Sequence, residues 1–413
     1  MILTIKNHVV KDIKFGNRSS YADQVLTLDK NNLINNFHLN NENYKVDFAI
    51  AKPNESKRII HITDVVKPSW KEEGSSFPGW TSGDNKAGCG ITHQLENMTV
   101  MQCCSFQGIQ EGIVDMTGVG AKYTLFSSKI NFIMMVDVIN PDVNKKDLSK
   151  DLNLMILLVS EYIASLAGKN TGDILNTYEI KTQNSMLPNI GYAYFIQAQG
   201  PLRNVHIYGE DCVAMNPRLM HPNEIKDGAV VSGNYIIACQ KNPTFFHQEN
   251  PIINLLYEKD GKELNFSNVI LSTESSMLES KKDNASAIAA LAKQEGMNGI
   301  IITQEGGGHA DVDLMLTAEA CEEARINTVI ITNEIAGSNG DLPPLVSFSK
   351  VEDAIITCGN NDEVITLDSV KEVIGGDLIN GNVDPYSSFD TSLGIMYTAT
   401  NQLGANKMTS IEL

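Results

Sequence analysis

The stretch that decides the fold is SAIAALAKQEGMNGIIITQEGGGHADVDLM, residues 286–315. Its first part has apolar residues at helical spacing and closes on Gly296, and GIIIT is the short apolar run of a buried strand. The helical spacing then resumes over residues 311–325. Further apolar strands surround this unit: NVILSTE (268–274), TVIIT (328–332) and AIITC (354–358). Apolar strands that alternate with amphipathic helices predict βαβ units on a parallel sheet.

The first half of the chain has a different pattern. Short strand-like runs dominate it, among them ILTIKNHVV, QVLTL, YKVDFAIA and KRIIHITDVV, with helical spacing at residues 148–166. The predicted fold class is therefore α/β, a strand-rich mixed N-terminal region followed by a C-terminal parallel-sheet Rossmann-like domain. We expect a mixed α+β domain at 1–245, a connecting segment at 246–264 and the Rossmann-like domain at 265–413.

Composition and charge narrow the class of protein. The chain has 413 residues, 42% of them hydrophobic, and a formal net charge of -18. Such a surface repels nucleic acid and anionic lipid, so neither is an expected partner. No apolar stretch is long enough to span a membrane. The seven cysteines form no CxxC pair and no short Cys/His spacing, which favours a reduced cytoplasmic protein without a metal site.

Chemistry-bearing residues concentrate in AVVSGNYIIACQKNPTFFHQENP, residues 229–251. An apolar run stops at Ser232-Gly233-Asn234, and a thiol, aromatic rings, an imidazole and amides follow closely. The candidate substrate-binding residues here are Phe245, Phe246, His247 and Asn250. Gln197 and Gln199 would share one face of a strand predicted at 191–200. A structural interpretation stays open, because single histidines and amides are often ordinary hydrogen-bonded groups.

Two further motifs allow two interpretations each. QEGGGHADVD (304–313) follows a predicted strand and opens a helix, where open α/β sheets bind ligands. It is also consistent with a plain turn that has Asp311 as the helix N-cap. Cys103 and Cys104 have apolar neighbours, which favours buried structural thiols over redox chemistry.

Several segments carry a resemblance to a known family. They are KDIKFG (11–16), QEGIVDMTGVGAKYT (110–124), GYAYFIQAQGPLRNVHIYGED (191–211), the DGAVVSGN stretch, ACQKNPTFFHQENPII (238–253) and IITQEGGGHADVDLM (301–315). In this order, over nearly the whole chain, the sequence resembles the α/β proprotein of component B of glycine reductase. Sarcosine and betaine reductases have closely similar subunits, and D-proline reductase has a more distant one.

The resemblance implies an enzyme subunit that is active only with partners. In the family, the substrate-specific component cooperates with a selenocysteine-containing component B subunit to cleave the C–N bond of glycine, sarcosine, betaine or a related small amine. Downstream reductase components complete the reaction, so a cytoplasmic hetero-oligomer is expected. The family proprotein cleaves itself at a G-N-C segment, and the new chain begins with a pyruvoyl group that acts as an electron sink.

This sequence departs from the family at that segment. It reads Gly233-Asn234-Tyr235. A phenol oxygen is too far from the preceding carbonyl for an acyl shift, and the tyrosine β-carbon carries no leaving group. We therefore expect an uncleaved chain without pyruvoyl and predict no other cofactor. The catalytic candidates are the processing-loop positions Asn234, Tyr235 and Cys239, the last being the nearest thiol.

Three hypotheses follow from this departure. In the first, the subunit works without pyruvoyl on a betaine-like quaternary ammonium, with Tyr194, Tyr235, Phe245 and Phe246 facing the cation. In the second, the chain is a non-catalytic paralogue that scaffolds or regulates the reductase complex. In the third, Tyr235 is an introduced substitution in an otherwise ordinary pyruvoyl enzyme.

Overall fold

A computed structural model gives the architecture of the protein. It describes residues 1–72, 77, 87–104, 112–169, 172–198, 204–213, 215–233, 241–349, 354–379, 382–406 and 408–410. Three of the predicted site positions in the processing loop, Asn234, Tyr235 and Cys239, lie outside these residues, as does Gln199.

The first half of the chain is mainly β-structure with one long helix. In chain order its elements are β1 Leu3–Val9, β2 Asp12–Phe15, β3 Ser20–Ala22, β4 Val25–Leu28, α1 Lys30–Asn36, β5 Tyr44–Ala51, β6 Lys57–Ile59, β7 Ile62–Val66, β8 Ser69–Lys71, β9 Gly90–Glu96, β10 Met98–Cys103, β11 Val114–Asp115, β12 Ile130–Val138, α2 Lys145–Ser165 and β13 Ile174–Tyr178.

The second half alternates strands and helices more regularly. Its elements are β14 Asn189–Ile196, β15 Val205–Ile207, β16 Glu210–Asp211, β17 Arg218–Met220, α3 Pro222–Lys226, β18 Val230–Ser232, α4 Thr244–Gln248, α5 Pro251–Lys259, β19 Asn265–Thr273, α6 Leu278–Gln294, β20 Gly299–Thr303, α7 Asp311–Glu323, β21 Asn327–Glu334, β22 Ala354–Asn360, β23 Val364–Leu367, β24 Glu372–Ile374, β25 Phe389–Ser392 and β26 Thr409–Ser410.

The largest sheet has seven strands in the order β17-β19-β14-β20-β21-β22-β26. Its five central strands are parallel, and only the edge strands β17 and β26 run antiparallel to their neighbours. Tyr194 is paired with Leu271 of β19 on one side and with Thr303 of β20 on the other. The mixed α/β class with parallel strands is thus confirmed.

Helices cover both faces of this sheet, as buried parallel strands require. On one face α6 and α7 pack their apolar side chains onto residues such as Phe195 and Ile302. On the other face α4 and α5 form one core with Tyr192, Tyr194 and Leu271. That second core also takes in side chains of the first-half strands, including Val65 of β7 and Ile133 of β12. The helices α4 and α5 therefore belong to the core that joins the two halves.

Two four-stranded mixed sheets build most of the first half, in the orders β13-β1-β9-β8 and β5-β12-β10-β7. The long helix α2 packs against β7, β8, β9 and β10. Among the described residues, no helix combines the length and apolar character needed to cross a membrane.

The seven-stranded sheet takes strands from both sides of the predicted boundary. Its interior strand β14 and its edge strand β17 come from the region 1–245, whereas the other five come from residues beyond 264. The division at 246–264 stays a prediction for independent folding units, but it does not separate one sheet from another. The sequence signal missed this because β14 stands about 70 residues away from its neighbour β19 in the chain.

Three local expectations need correction. The strand predicted at 191–200 ends at Ile196, so Gln197 lies beyond the pleat on which its alternation with Gln199 was argued. Asp311 is not an N-cap: α7 begins at Asp311 itself, and its carboxylate accepts hydrogen bonds from Gln304 and the Val346 N–H. The residues after Pro243 form α4 and α5 instead of the expected loop. The side-chain oxygen of Asn250 caps the start of α5.

Candidate functional site

The order of the strands reverses at the carboxyl ends of β14 and β20. From β14 the chain continues to β19 on one side, and the later strands β20, β21 and β22 add on the other side. Such a reversal of strand order is a topological switch point, where open α/β sheets bind ligands. Tyr194 and Gln197 stand at the end of β14, and Glu305 follows β20, so these side chains meet at the switch point.

Glu305 connects three separate segments at this point. Its carboxylate, which is fully buried, accepts the Gln197 N–H at 2.9 Å, the Asn242 N–H at 3.0 Å and the Tyr194 hydroxyl at 3.1 Å. Burial raises the pKa of Glu305 to about 7, although the neighbouring Lys241 ammonium and these donors oppose the rise. The group therefore titrates near neutrality instead of in the acidic range that is usual for a carboxyl group.

The hydrogen bonds around Tyr194 determine the tautomer of His247. The hydroxyl donates its one proton to Glu305, so it acts as acceptor toward Asn242 Nδ2 at 3.3 Å and His247 Nδ1 at 3.2 Å. While Glu305 is ionised, His247 therefore carries its proton on Nδ1 and leaves Nε2 as an acceptor. Burial, with a smaller effect of Lys241, lowers the pKa of His247 to about 3, so the ring is neutral at pH 7.

Two polar atoms in this region have unused hydrogen-bonding capacity. Within the described part of the chain, His247 Nε2 and Gln197 Oε1 are buried and lack a hydrogen-bond partner. Both atoms are acceptors in the arrangement above, and buried acceptors are normally satisfied. Gly306 allows this packing, because a Cβ there would lie 2.8 Å from Gln197 Nε2 and its φ is +80°. A ligand with N–H donors, such as an amine, would complete the site.

Lys241 adds a cation to the same region. The residue is 1% exposed, and burial lowers its pKa to about 8 against the attraction of Glu305 and Asp64. Asp64 is fully buried on β7, and burial raises its pKa to about 7. Three buried groups that titrate near neutrality within one region are typical of functional sites, although ion-pair networks of purely structural importance also show them.

Asp64 also ties together the two ends of the processing loop. Its carboxylate accepts the Thr244 N–H at 2.9 Å and the Thr244 hydroxyl at 2.8 Å. The Thr244 oxygen in turn accepts the Ser232 N–H at 3.0 Å. Ser232 and Thr244 stand on either side of the segment that contains Asn234, Tyr235 and Cys239. The processing loop thus begins and ends at one buried point. We call the group of Asp64, Tyr194, Gln197, Lys241, Asn242, His247 and Glu305 the switch-point cluster.

The predicted substrate-binding residues divide into three groups. Tyr194, Gln197 and His247 come together around Glu305, as described above. Phe245 and Phe246 pack against Phe126 on another side of α4. Asn250 caps α5 by accepting the N–H groups of residues 252 and 253, and its amide reaches the Tyr192 hydroxyl at 3.4 Å. No observation tests a substrate role for any of them, so these assignments stay predictions.

Sequence reasoning missed four residues of the cluster, namely Asp64, Lys241, Asn242 and Glu305. A signal existed for two of them. Asp64 interrupts the apolar run IIHITDVV, and Glu305 stands between a buried strand and three glycines in a motif that we considered as a ligand site without singling out this side chain. Lys241 and Asn242 have no comparable signal, because charged and amide residues before a proline are common in exposed turns.

Comparison with known proteins identifies the family. Residues 1–410 match the model of the glycine/sarcosine/betaine reductase component B subunits. The chain belongs to this family. It is 35% identical to the glycine reductase complex component B subunits alpha and beta of Acetoanaerobium sticklandii, over 99% of each chain. No solved structure matches the chain.

Two relatives from Peptoclostridium acidaminophilum bear other substrate names within this component B family. The sarcosine reductase complex component B subunit alpha is 33% identical over 99% of each chain. The betaine reductase complex component B subunit alpha is also 33% identical, over 91% of this chain and 88% of the relative. The sequence identities to the glycine, sarcosine and betaine subunits are nearly equal. They therefore do not indicate which of these three relatives shares its substrate with this chain.

Proposed function

We propose that this chain is the substrate-specific subunit of a reductase that cleaves the C–N bond of glycine, sarcosine, betaine or a related small amine. The observation that carries the proposal is the family match, which covers residues 1–410. The relatives are named as components of reductase complexes, which supports a hetero-oligomer. We further propose that a selenocysteine-containing subunit and downstream components are the partners, and that the complex is cytoplasmic.

The switch-point cluster supports an amine as the ligand. The bare Nε2 of His247 and the Oε1 of Gln197 offer acceptors for N–H groups, and the Glu305 carboxylate places a negative charge beside them. These groups would bind and orient an ammonium group near the processing loop. The order of the five parallel strands is that of a doubly wound sheet. It supports the Rossmann-like character that we propose for this part of the fold.

The residues present do not fit a pyruvoyl group. Such a group forms from a side chain that first attacks the preceding carbonyl and then leaves its own β-carbon, and Tyr235 can do neither. We therefore propose that the chain stays uncleaved. The nitrogen of the substrate would then be bound non-covalently by side chains and would not form a Schiff base with a pyruvoyl group. A quaternary ammonium suits the bond cleavage because it is already a leaving group, but it has no N–H for His247 Nε2 or Gln197 Oε1 and would meet only the Glu305 charge.

Intact mass spectrometry under denaturing conditions tests the uncleaved state. We expect one species near 45.2 kDa for the natural sequence. Tyr235→Cys should restore processing and give two fragments that separate after residue 234, whereas Tyr235→Phe should stay whole. Fragments from the natural chain would refute the argument about Tyr235, and the protein would then be a pyruvoyl enzyme. If Tyr235 is an introduced substitution, the natural protein has cysteine at this position. That protein would then be processed into two fragments, as Tyr235→Cys is expected to be.

The absence of a processing nucleophile favours a second candidate function, a non-catalytic paralogue that scaffolds or regulates the reductase complex. Reconstitution with the partner subunits separates the two. Cleavage of betaine but not of glycine supports the catalytic proposal without pyruvoyl. Stable association with the selenoprotein partner, together with no turnover of glycine, sarcosine or betaine, supports the scaffold.

A further inference from the structure

A cavity, which we name the α4 cavity, lies on the opposite side of α4 from the switch-point cluster. It has a volume of about 310 Å³, at the small end of the range for ligand pockets. Its walls come from the end of β7, the end of β9, the segment before β12, the helices α4 and α5 and the chain near residue 404. Phe245 and Phe246 provide its aromatic lining, and His247 on the same helix reaches the other site.

Two carboxylates occupy one side of this cavity. Glu96 and Glu249 both pair with the ammonium group of Lys67, which lies between them. Their side chains stay 28% and 24% exposed, so each retains acceptor positions that a ligand can reach. Burial would raise the pKa of Glu249, but Lys67 and Lys226 outweigh it and lower that pKa to about 2. The Glu249 carboxylate is therefore charged at neutral pH.

Lys129 is the second cation that lines the cavity. Its Nζ lies 5.6 Å from the centre of the Phe245 ring. In the part of the chain that the structure describes, its ammonium group makes no hydrogen bond or ion pair. Burial lowers the pKa of Lys129 and Lys67 lowers it further, whereas the charges of Glu96 and Glu249 oppose the decrease. A half-buried ammonium in this position gains from an anion that approaches from the cavity.

We propose that this cavity binds a small zwitterionic amino acid, whose carboxylate pairs with Lys129 and whose ammonium group lies against Glu96 and Glu249. The charges of the lining, two lysines and two glutamates, sum to zero. A zwitterion preserves this balance, whereas a phosphate dianion would face two carboxylates and a simple cation would face two ammonium groups. Glu96, Glu249 and the Lys67 between them carry a net charge of -1, and Lys129 carries +1, so a ligand with both charges is favoured.

The described residues that line this cavity include none of the switch-point cluster. The class of ligand follows from the cavity alone. Its use as a substrate or effector site for C–N cleavage rests on the proposed function. Binding and turnover must therefore be measured separately.

Isothermal titration calorimetry of the full chain tests the proposal. Glycine and betaine are the zwitterionic probes, acetate and methylammonium carry one charge each, and inorganic phosphate is the dianion. We expect at least one zwitterion to bind, and both single-charge probes and phosphate to bind at least tenfold more weakly. Lys129→Met, which keeps the apolar stem, should weaken zwitterion binding at least tenfold, and Lys129→Arg should restore part of it. Lys122→Met, at an exposed lysine nearby, is the matched control and should change nothing.

Thermal unfolding of each variant confirms that the fold is retained. Zwitterion binding that is unchanged in Lys129→Met, stronger binding of phosphate, or no zwitterion binding at all would each overturn the site. If Lys129→Met changes neither binding nor turnover in the reconstituted complex, this site is wrong and the proposed function stands. If binding depends on Lys129 but no amine is cleaved, the site stands and the proposed function fails.

Discussion

At the scale of single residues, the main feature is a set of buried ionisable groups that meet around the processing loop. Glu305 and Asp64 are fully buried, and burial raises the pKa of each to about 7. Both carboxylates accept backbone N–H groups from the segment 242–244, so they also hold the return of the loop. One residue can thus order the loop and supply a charge that changes near neutral pH.

The titration of Glu305 predicts a pH dependence of stability. Its pKa is about 4.3 in an unfolded chain and about 7 in the folded protein, so the folded state retains the proton to higher pH. Its contribution to the free energy of unfolding is therefore greatest below pH 4 and falls as the pH rises to 7. Glu305→Gln removes this fall, which should amount to roughly 1–3 kcal/mol.

Urea unfolding at pH 5, 6, 7 and 8 checks this expectation. The decrease in unfolding free energy from pH 5 to pH 7 should be smaller in Glu305→Gln than in the natural chain. Asp64 titrates in the same range in both proteins and accounts for part of the remaining slope. Equal slopes would show that Glu305 is ionised in the folded state throughout this range.

At the scale of elements, α4 and α5 determine where the predicted site residues point. In the short helix α4, His247 lies against Tyr194, whereas Phe245 and Phe246 line the α4 cavity. Pro251 starts α5, and Asn250 before it satisfies two of the free N–H groups at the helix start. Asn250 therefore has a clear structural role, whatever its role toward a substrate.

The cap gives a prediction that separates these two roles. Asn250→Ala should reduce the free energy of unfolding by about 1 kcal/mol, within a range of roughly 0.5–2 kcal/mol, because two N–H groups lose their acceptor. Asn250→Ser should recover most of this loss, since serine also caps helices well. Urea unfolding measures the effect. A loss of amine binding in Asn250→Ser at nearly normal stability would instead support the predicted substrate role.

At the scale of the whole molecule, the seven-stranded sheet joins regions that are far apart in the chain. Strand β14 lies between β19 and β20 and bonds to both. Without it, the parallel strands of residues 265–413 lose the strand that connects β19 to β20. The core on one face of the sheet also includes first-half residues such as Val65 and Ile133.

We therefore expect the fragment 265–413 not to fold by itself. Its purified form should show poor amide dispersion in a proton–nitrogen NMR spectrum and no cooperative thermal transition, whereas the full chain should show both features of a folded protein. A well-dispersed spectrum from the fragment would establish the predicted domain at 265–413 as an independent unit, and it would show that these strands form a stable sheet without β14.

The sequence by itself determined the elements with strong local patterns. The apolar runs at 299–303 and 328–332 and the helical spacing at 148–166 and 311–325 correspond to β20, β21, α2 and α7. It also determined the family, because the quoted segments lie in the same order as in its members, and the missing nucleophile at Tyr235, because that is a matter of side-chain chemistry. These features depend only on residue type and spacing.

Only the tertiary structure decided which distant residues share a site. Asp64 and Thr244 are 180 positions apart, and Tyr194 and Glu305 are 111 apart, yet each pair is within hydrogen-bonding distance. No periodicity records such contacts, since they arise when strands from separate regions join one sheet. The pKa values near 7 likewise depend on burial, which is a property of the surroundings and not of the residue. The sequence therefore named part of the cluster, and the fold supplied its charges and its location.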